Sequence, residues 1–303
     1  MSVAVFTHPD MLRHNPGESH PECPARLEAV LAALEDGAAG VELREAPLAA
    51  PADLLRVHPQ AYLELIEQVS PRRDMVQLDA DTAMSPGSLA AARRACGAVA
   101  AAVRETAAGR LQRAFCAVRP PGHHALPSRP MGFCLFSSVA VGAKAALAEG
   151  FSRVAVVDFD VHHGNGTEAV VREDAQLFFA SIQQFPNWPG SGRDGRERNI
   201  VNATAAPMAP REAWRAAFES LMPPLDAFEP ELILISAGFD AHARDPLASL
   251  LLEAEDFAWA TRAILEVARK RCGGKVVSSL EGGYDLEALG RSALAHVRAL
   301  QED

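Results

Sequence analysis

Five short apolar runs without hydrophobic alternation restrict the fold of this chain more than any other feature. Turn residues follow each run, and helical stretches lie between them. Strands that are apolar on both faces belong in a sheet covered on both faces, and intervening helices indicate parallel crossovers. The runs are residues 113–119, 153–158, 177–182, 231–237 and 275–280. The sequence therefore predicts an α/β fold with a central, mostly parallel sheet flanked by helices.

The stretches between these runs predict helices over residues 139–149, 213–221 and 257–271. A further long helix is expected after Asp81, with Ser85 and Pro86 as its cap and first turn. No internal repeat, charge block or Pro/Gly/Ser-rich linker divides the chain. We therefore expect a single domain over residues 1–303.

Bulk properties remove several classes of protein. The 303 residues are 49% hydrophobic, which is enough for a large core, and the net charge of -10 predicts no basic surface for nucleic acid or anionic membrane. The five cysteines are scattered and form no C-x-x-C pair, which indicates free thiols in a reducing compartment. The first residues lack the pattern of a signal peptide. These features predict a cytoplasmic location.

Unusual polar clusters follow four of the predicted strands directly. They lie in residues 119–124, 158–166, 236–246 and 278–284. Ligands bind at the carboxyl ends of the strands in open parallel sheets. The four segments are therefore expected to form one active site.

Asp160 and His162 are the first candidate metal ligands. They stand two residues apart in an extended segment, so their side chains can point the same way. One more carboxylate would complete the three-ligand set of a catalytic zinc site, which keeps a fourth position open. Asp245, which precedes Pro246 in a rigid turn, is the best candidate, and Asp240 is its competitor. Zinc and iron both suit such a set.

Two adjacent histidines supply acid–base chemistry near this set. His123 and His124 follow a predicted strand, where each ring would need partners for two nitrogen atoms. Amide hydrolysis at a metal requires a base for the water proton and an acid for the leaving amine. Asp158 and Asn165 are available to fix the histidine tautomers. Tyr284, after two glycines, could donate to a developing oxyanion.

These motifs, in this order, resemble the histone deacetylase and acetylpolyamine amidohydrolase superfamily. The resemblance rests on RPPGHHA at 119–125, DFDVHHGNGT at 158–167, AGFD at 237–240 with DPL at 245–247, and EGGY at 281–284. Residues 20–26 and 131–134 look like its first loop and its channel loop. The match spans about residues 6–289 and is closest to class II-like members, bacterial ones included.

The resemblance implies a domain of the arginase/deacetylase type and a zinc-dependent enzyme that hydrolyses linear N-acyl amides. Zinc would be bound by Asp160, His162 and Asp245. His124 would be the main general base and acid, backed by Asn165. The remaining catalytic roles would fall to His123, which is backed by Asp158 and assists electrostatically, and to Tyr284, which polarises the acyl carbonyl.

The resemblance also implies roles around this centre. A substrate tunnel would be lined by Gly132, which accepts the amide proton, and by Phe133, Trp188 and Leu247. A structural potassium ion would be bound by Asp158, Asp160, His162, Ser181 and Ile182. Arg26 would line a passage for acetate release. A second monovalent cation site stays open, because no tyrosine lies near Asn199 where the family often has one.

The sequence narrows the class of substrate but does not identify the substrate itself. Leu247 stands where a dedicated polyamine deacetylase is expected to have an acidic residue, which favours acetyl-lysine-like or small N-acetylated amines, as peptides or small molecules. An acetylpolyamine amidohydrolase, a binuclear manganese hydrolase and a non-catalytic acyl-amine binding module are the alternatives. Acyl-chain length and a homo-oligomeric state stay open. No nucleic-acid or membrane partner is expected.

Overall fold

A computed structural model describes residues 2–303 of the chain. Over these residues the strands are β1 (Val3–Thr7), β2 (Val41–Glu45), β3 (Val76–Gln77), β4 (Ala83–Met84), β5 (Arg113–Cys116), β6 (Val154–Asp158), β7 (Leu177–Gln184), β8 (Gly195–Glu197), β9 (Ile200–Ala205), β10 (Leu232–Ala237) and β11 (Val276–Leu280). The α-helices are α1 (Pro24–Gly37), α2 (Pro51–Leu54), α3 (Gln60–Val69), α4 (Ser88–Ala107), α5 (Ser138–Ala148), α6 (Asn165–Arg172), α7 (Arg211–Glu219), α8 (Met222–Phe228), α9 (Ala254–Cys272) and α10 (Leu286–Gln301). A short 3-10 helix spans Pro9–Arg13.

Nine of the strands form one sheet in the order β2-β1-β5-β11-β10-β6-β7-β9-β8. All neighbouring pairs are parallel except β8 and β9, which form an antiparallel hairpin at one edge. Every residue of β5, β6, β10 and β11 is buried, which requires cover on both faces of the sheet. The predicted fold class, one mostly parallel sheet flanked by helices, is confirmed.

The helical cover consists of two packed groups. On one side α4 packs against α5, and both contact central strands. In the other group α10 packs against both α1 and α9. One apolar core joins these helices to the sheet, from Val3 in the first strand to Leu300 in the last helix. The chain therefore folds around a single central sheet.

The five apolar runs are all strands, and the structure adds β1, β2, β8 and β9 in the same sheet and a separate two-stranded sheet of β3 and β4. The last residues of the first run, 117–119, lie outside β5, because they turn into the loop after it. Two of the added strands, β2 and β8, give little sequence signal. The edge strand β2 is mostly charged and partly exposed, as edge strands usually are, and β8 is an exposed three-residue strand.

The helix predicted over residues 257–271 begins three residues earlier, at Ala254, and two further predicted helices have wrong boundaries. The helix α4 begins at Ser88, not at Ser85, because Gly87 adopts a left-handed φ of 99° as its N-cap. Ser85 and Pro86 instead lie in a preceding turn, where the Ser85 N–H donates to Ser88 Oγ. The helix predicted over residues 213–221 covers 211–219 and is followed by α8, whose first turn contains two prolines.

The structure leaves all five cysteines unpaired, four of them buried. None of the helices between residues 2 and 303 is both long and apolar enough to cross a membrane. The cytoplasmic location stays a prediction.

Candidate metal centre and catalytic pocket

The loops that follow β5, β11, β10 and β6 come together at one edge of the sheet, because these four strands are adjacent in that order. Asp158 ends β6 beside Ser236 of β10, and Leu280 ends β11 beside Ala237. All four polar segments of the sequence therefore meet where the parallel strands end. This placement explains how residues far apart in sequence build one site.

Asp160, His162 and Asp240 form a buried cluster whose ligand-type atoms all lie within 4.8 Å of one another. His162 Nδ1 lies 3.2 Å from Asp160 Oδ1 and 3.1 Å from Asp240 Oδ2. Asp240 Oδ1 also accepts the N–H of Val161, which fixes this carboxylate against the ligand segment. Two of the three predicted ligands, Asp160 and His162, thus lie in this cluster, and its third member is Asp240.

The third predicted ligand, Asp245, lies beside this cluster and is bonded to its own loops. Its Oδ2 accepts the N–H of Tyr284 at 2.7 Å, and its Oδ1 accepts the N–H of Leu247 at 3.0 Å. Burial, together with the charge of Asp240, raises the pKa of Asp245 to about 7. The two carboxylates are therefore electrostatic neighbours. The choice of Asp245 as ligand stays a prediction, with Asp240 as its rival.

The chemistry of this donor set fits a divalent cation. Burial and the charge of Asp160 raise the pKa of Asp240, because the neighbouring negative charge repels the ionised form of this carboxylate. A cation held between them would remove that repulsion. One imidazole and two carboxylates are a donor set that zinc and iron accept in catalytic sites.

Gly282 brings the segment that carries Tyr284 directly against the acidic cluster. Its N–H donates to Asp160 Oδ2 at 2.9 Å. A Cβ atom at this position would lie 2.2 Å from Asp240 Oδ2 and 2.7 Å from Asp160 Oδ2. Only glycine permits this approach, so the first glycine of the EGGY motif has a structural reason.

His123 is buried beside two carboxylates. Its Nδ1 lies 3.0 Å from Asp158 Oδ2, and its Nε2 lies 3.8 Å from Asp160 Oδ2. Burial alone would lower the pKa of His123, but the charges of Asp160 and Asp158 outweigh it and raise the pKa to about 10. This ring is therefore suited to carry a positive charge.

His124 has the opposite electrostatic environment. Its Nδ1 lies 2.9 Å from Asn165 Oδ1, and because an amide oxygen only accepts, the histidine proton lies on Nδ1. Burial and the positive charges of His123 and His162 lower the pKa of His124 well below its ordinary value. The ring is therefore neutral, and its Nε2 has a free lone pair. The centroids of the two rings lie 3.8 Å apart, with the ring planes tilted by 42°.

A narrow pocket of about 210 Å³ leads to His124 and His162. It is lined by Asp81, His124, Gly132, Phe133, His162, Asn187, Trp188, Leu247 and Tyr284. All four residues of the predicted tunnel are among them. Larger clefts, of about 510 and 660 Å³, lie elsewhere on the surface and contain none of the predicted catalytic or metal residues.

Gly132 controls the width of this pocket. It has a left-handed φ of 57°, and a Cβ atom there would lie 2.5 Å from His124 Cδ2 and 2.6 Å from Trp188 Cη2. Its N–H donates to Asp81 Oδ1, while the next N–H, of Phe133, donates to Thr82 Oγ1. These two hydrogen bonds fix the backbone of the loop at Gly132 and Phe133. The space between this loop and the rings of His124 and Trp188 cannot take a side chain at residue 132.

We expect Gly132→Ala to lower kcat/KM for an N-acyl amide by about ten-fold or more, because the new methyl group displaces His124 or Trp188. Gly109→Ala is the matched control. Gly109 also has a left-handed φ, of 71°, but a Cβ atom there meets nothing within 4 Å. Steady-state kinetics of both variants would test this, and equal kcat/KM values for the two would contradict it.

Arg26 is buried behind Tyr284. Its Nε donates to the carbonyl oxygen of Gly283 at 2.6 Å and its Nη2 to that of Glu281 at 2.5 Å. Its guanidinium carbon lies 4.8 Å from the centre of the tyrosine ring. A salt bridge with Glu22 supplies the counter-charge. Arg26 therefore supports the tyrosine segment, and its role in acetate release stays a prediction.

The predicted potassium ligands lie on β7 and on β6 with the loop that follows it, where Asp160 and His162 also belong to the buried cluster. Asp158 of β6 stands opposite Ser181 of β7 in the parallel register, with Ile182 next along β7. Ser181 Oγ donates to Gln183 Oε1 at 2.6 Å. The potassium ion stays a prediction. Near the open second cation site, Asn199 Nδ2 lies 2.7 to 2.9 Å from three carbonyl oxygens, those of Val171, Asp174 and Leu177.

The sequence reasoning missed several residues that shape the site. Asp81 and Asn187 line the pocket, Thr82 fixes Phe133, and Glu281 contacts the histidine loop. Asp81 and Thr82 lie in the connection between the two-residue strands β3 and β4, which no motif of the sequence marks. Glu281 is the first residue of the EGGY motif. Its position directly after a buried strand is the sequence signal that could have indicated its role.

Comparisons with known proteins agree with this arrangement. The histone deacetylase domain model matches residues 20–300. A histone deacetylase-like amidohydrolase of Pseudomonas aeruginosa is 38% identical, over 87% of this chain and 71% of its own length. Histone deacetylase 14, chloroplastic, of Arabidopsis thaliana is 36% identical over 98% of this chain and 76% of its own length. The crystal structure of the HDA15 HD domain has a TM-score of 0.92 and 32% identity, and the match covers 99% of this chain and 91% of that one. The chain therefore belongs to the histone deacetylase family.

Proposed function

We propose that this protein is a zinc-dependent amidohydrolase that removes an acyl group, acetyl in the first place, from an amine. One observation carries the proposal. His124 lies at the base of the narrow pocket with its proton on Nδ1, and the Asp160–His162–Asp240 cluster lies beside it. A free imidazole lone pair next to a divalent-cation donor set is the arrangement that metal-assisted amide hydrolysis needs.

The side chains have separate tasks in this proposal. A bound zinc ion would supply Lewis acidity to the acyl carbonyl and to the water nucleophile. His124 takes the water proton on Nε2 and later gives it to the leaving amine, while Asn165 holds the tautomer. His123, whose pKa is raised to about 10, contributes positive charge next to the developing oxyanion. Tyr284 donates its hydroxyl proton in a hydrogen bond to that oxygen.

The pocket favours an unbranched chain on the amine side of the amide. Phe133 and Trp188 wall it, and the ring of Trp188 lies 4.6 Å from that of His124. Gly132 allows close contact, and its carbonyl oxygen is the proposed acceptor of the substrate amide proton. An acetyl-lysine side chain or a small N-acetylated amine has the required shape. An apolar Leu247, 36% exposed, stands at the mouth.

An acetylpolyamine amidohydrolase keeps the same chemistry and differs in the substrate. The apolar Leu247 offers nothing to a distal ammonium group, which favours the acetyl-lysine-like substrate. Comparing kcat/KM for acetylputrescine and for an acetyl-lysine peptide separates the two. A higher value for acetylputrescine would replace the first proposal with the second.

Two further alternatives are less consistent with the site. A binuclear manganese hydrolase would need additional bridging carboxylates around residues 158–163, and measurement of two manganese ions per chain would support it. A non-catalytic acyl-amine binding module would be expected to lack a catalytic group, yet His123, His124 and Tyr284 are all present. Catalytic turnover of any acyl amine would exclude a purely binding role.

Inhibition by a hydroxamate tests the proposal directly. A hydroxamate on a slim alkyl linker should chelate the zinc ion through the pocket between Phe133 and Trp188, because both walls are apolar and His162 of the cluster lines the same pocket. We expect it to abolish hydrolysis across a panel of N-acyl amines at micromolar concentration. The matching carboxamide, which chelates poorly, is the control. Unchanged hydrolysis at high micromolar hydroxamate would contradict an open zinc position.

A further inference from the structure

Glu281 is a fully buried carboxylate at the point where β11 ends. None of the catalytic roles proposed above involves it. Its main chain continues the sheet, because its N–H donates to the carbonyl oxygen of Ala237. Its side chain points to the loop that follows the neighbouring strand β5. A buried carboxylate is costly unless hydrogen bonds or charges compensate it, so its partners indicate its role.

Both oxygens of this carboxylate have partners on neighbouring strands or loops. Oε2 accepts the N–H of Gly122 at 2.6 Å and the N–H of His123 at 3.1 Å. Oε1 accepts the hydroxyl proton of Ser236, on β10, at 3.3 Å. Glu281 therefore joins the ends of three adjacent strands, and two of its three hydrogen bonds go to the backbone of the histidine loop.

The backbone of His123 is held from both sides as a result. Its N–H is bound by Glu281, and its carbonyl oxygen accepts the N–H groups of Gly166 and Thr167 at the start of α6. The His123 ring is bound in turn by Asp158. Among these partners Glu281 alone fixes the amide end of the loop, which decides where the rings of His123 and His124 project.

We propose that Glu281 is a positioning residue that holds the His123–His124 loop in its catalytic geometry. The expected effect on turnover rests on the amidohydrolase function proposed above. The loop anchoring itself does not depend on that function. The carboxylate neither lines the pocket nor belongs to the Asp160–His162–Asp240 cluster, and its hydrogen bonds reach the backbone of the histidine loop.

Three substitutions separate hydrogen bonding from charge and from simple burial. Glu281→Gln keeps an oxygen that can accept both N–H groups, and its amide can donate to Ser236. Glu281→Met keeps the length and removes both carboxylate oxygens, leaving only a weakly accepting sulfur. Glu281→Asp keeps the charge and withdraws the oxygens by one methylene group. Thr261→Val is the matched control, because it removes a buried hydrogen bond to His296 that is remote from the pocket.

The first measurement is amide hydrogen exchange in the metal-free protein, on a peptide that begins at or before residue 117 and includes the amides of Gly122 and His123. We expect Glu281→Met and Glu281→Asp to speed exchange at these amides by about ten-fold or more. Glu281→Gln and Thr261→Val should leave it within about three-fold of wild type. This readout is independent of activity, so a failure of the proposed function would not be confused with a failure of the anchoring.

The second measurement is steady-state kinetics with the zinc-loaded protein. Loss of a partner that orients catalytic groups costs about 10- to 100-fold. We expect that loss in kcat for Glu281→Met and Glu281→Asp, with KM and zinc content unchanged, and activity near wild type for Glu281→Gln. Wild-type exchange and kcat in Glu281→Asp would overturn the proposal, even if the methionine variant does not fold. An equal kcat loss in Thr261→Val at an equal loss of thermal stability would also overturn it.

Discussion

Replacing His162 with alanine should remove the bound zinc ion and amide hydrolysis together. His162 provides the only imidazole of the cluster, and its Nδ1 lies between two carboxylates. Changes outside the ligand set already cost about 10- to 100-fold in metal affinity, so loss of a ligand should cost more than ~100-fold. Elemental analysis and activity assays on the same preparation would measure both losses. Full zinc occupancy in His162→Ala would exclude the proposed centre.

The control for this experiment is another buried histidine. His296 bonds to Thr261 and Ser278 within the core and does not line the pocket. We expect His296→Gln to lower thermal stability while retaining one zinc ion per chain. Zinc loss in both variants would indicate general unfolding and not the removal of a ligand.

Two asparagine variants decide between the rival third ligands. If Asp245 binds the metal, Asp245→Asn should weaken zinc binding more than Asp240→Asn, and the Asp240 carboxylate would then mainly orient His162 and Val161. The reverse order would assign the third position to Asp240, which the geometry of the cluster favours. Metal titration of the two variants under identical conditions gives the order.

Tyr284→Phe should lower kcat by about 10²–10³, the usual effect of removing one oxyanion donor. The ring keeps its contacts with Phe133 and with the Arg26 guanidinium, and the N–H of residue 284 still donates to Asp245. The loss should therefore appear in kcat, because the hydrogen bond strengthens as charge develops on the carbonyl oxygen. Steady-state kinetics of the variant would measure it.

Zinc content and hydroxamate affinity are the controls for the tyrosine variant. Both should change far less than turnover, since the hydroxyl is the only atom removed. A Tyr284→Phe enzyme that turns over within a few-fold of wild type would show that the tyrosine only closes the loop, and the oxyanion role would have to be withdrawn.

The fold and the position of the site could be predicted because both depend on local patterns. Buried strands are apolar along their whole length, and in a parallel sheet their carboxyl ends meet at one edge. The loops after β5, β6, β10 and β11 therefore had to converge, and the structure brings His124, His162 and Tyr284 to one pocket.

Side-chain placement within the site could not be derived in the same way. Asp240 and Asp245 are five residues apart in one loop, and only the tertiary structure shows that the first contacts His162 while the second accepts the Tyr284 N–H. Asp81 reaches the pocket through a hydrogen bond to Gly132, fifty-one positions away. Contacts of this kind depend on packing between distant segments, which no pattern in one segment records.

The order of the strands has a consequence for how the protein is made. The strand β11 lies in the middle of the sheet, between β5 and β10, although it is the last strand in the sequence. Until residues 276–280 leave the ribosome, β5 and β10 each present an unpaired edge, and such edges attract other chains. Long-range parallel pairing is also slow to form. The loop that carries Tyr284 directly follows β11, so it leaves the ribosome immediately after this strand. A nascent chain therefore completes its active site in the same step in which β11 pairs with β5 and β10.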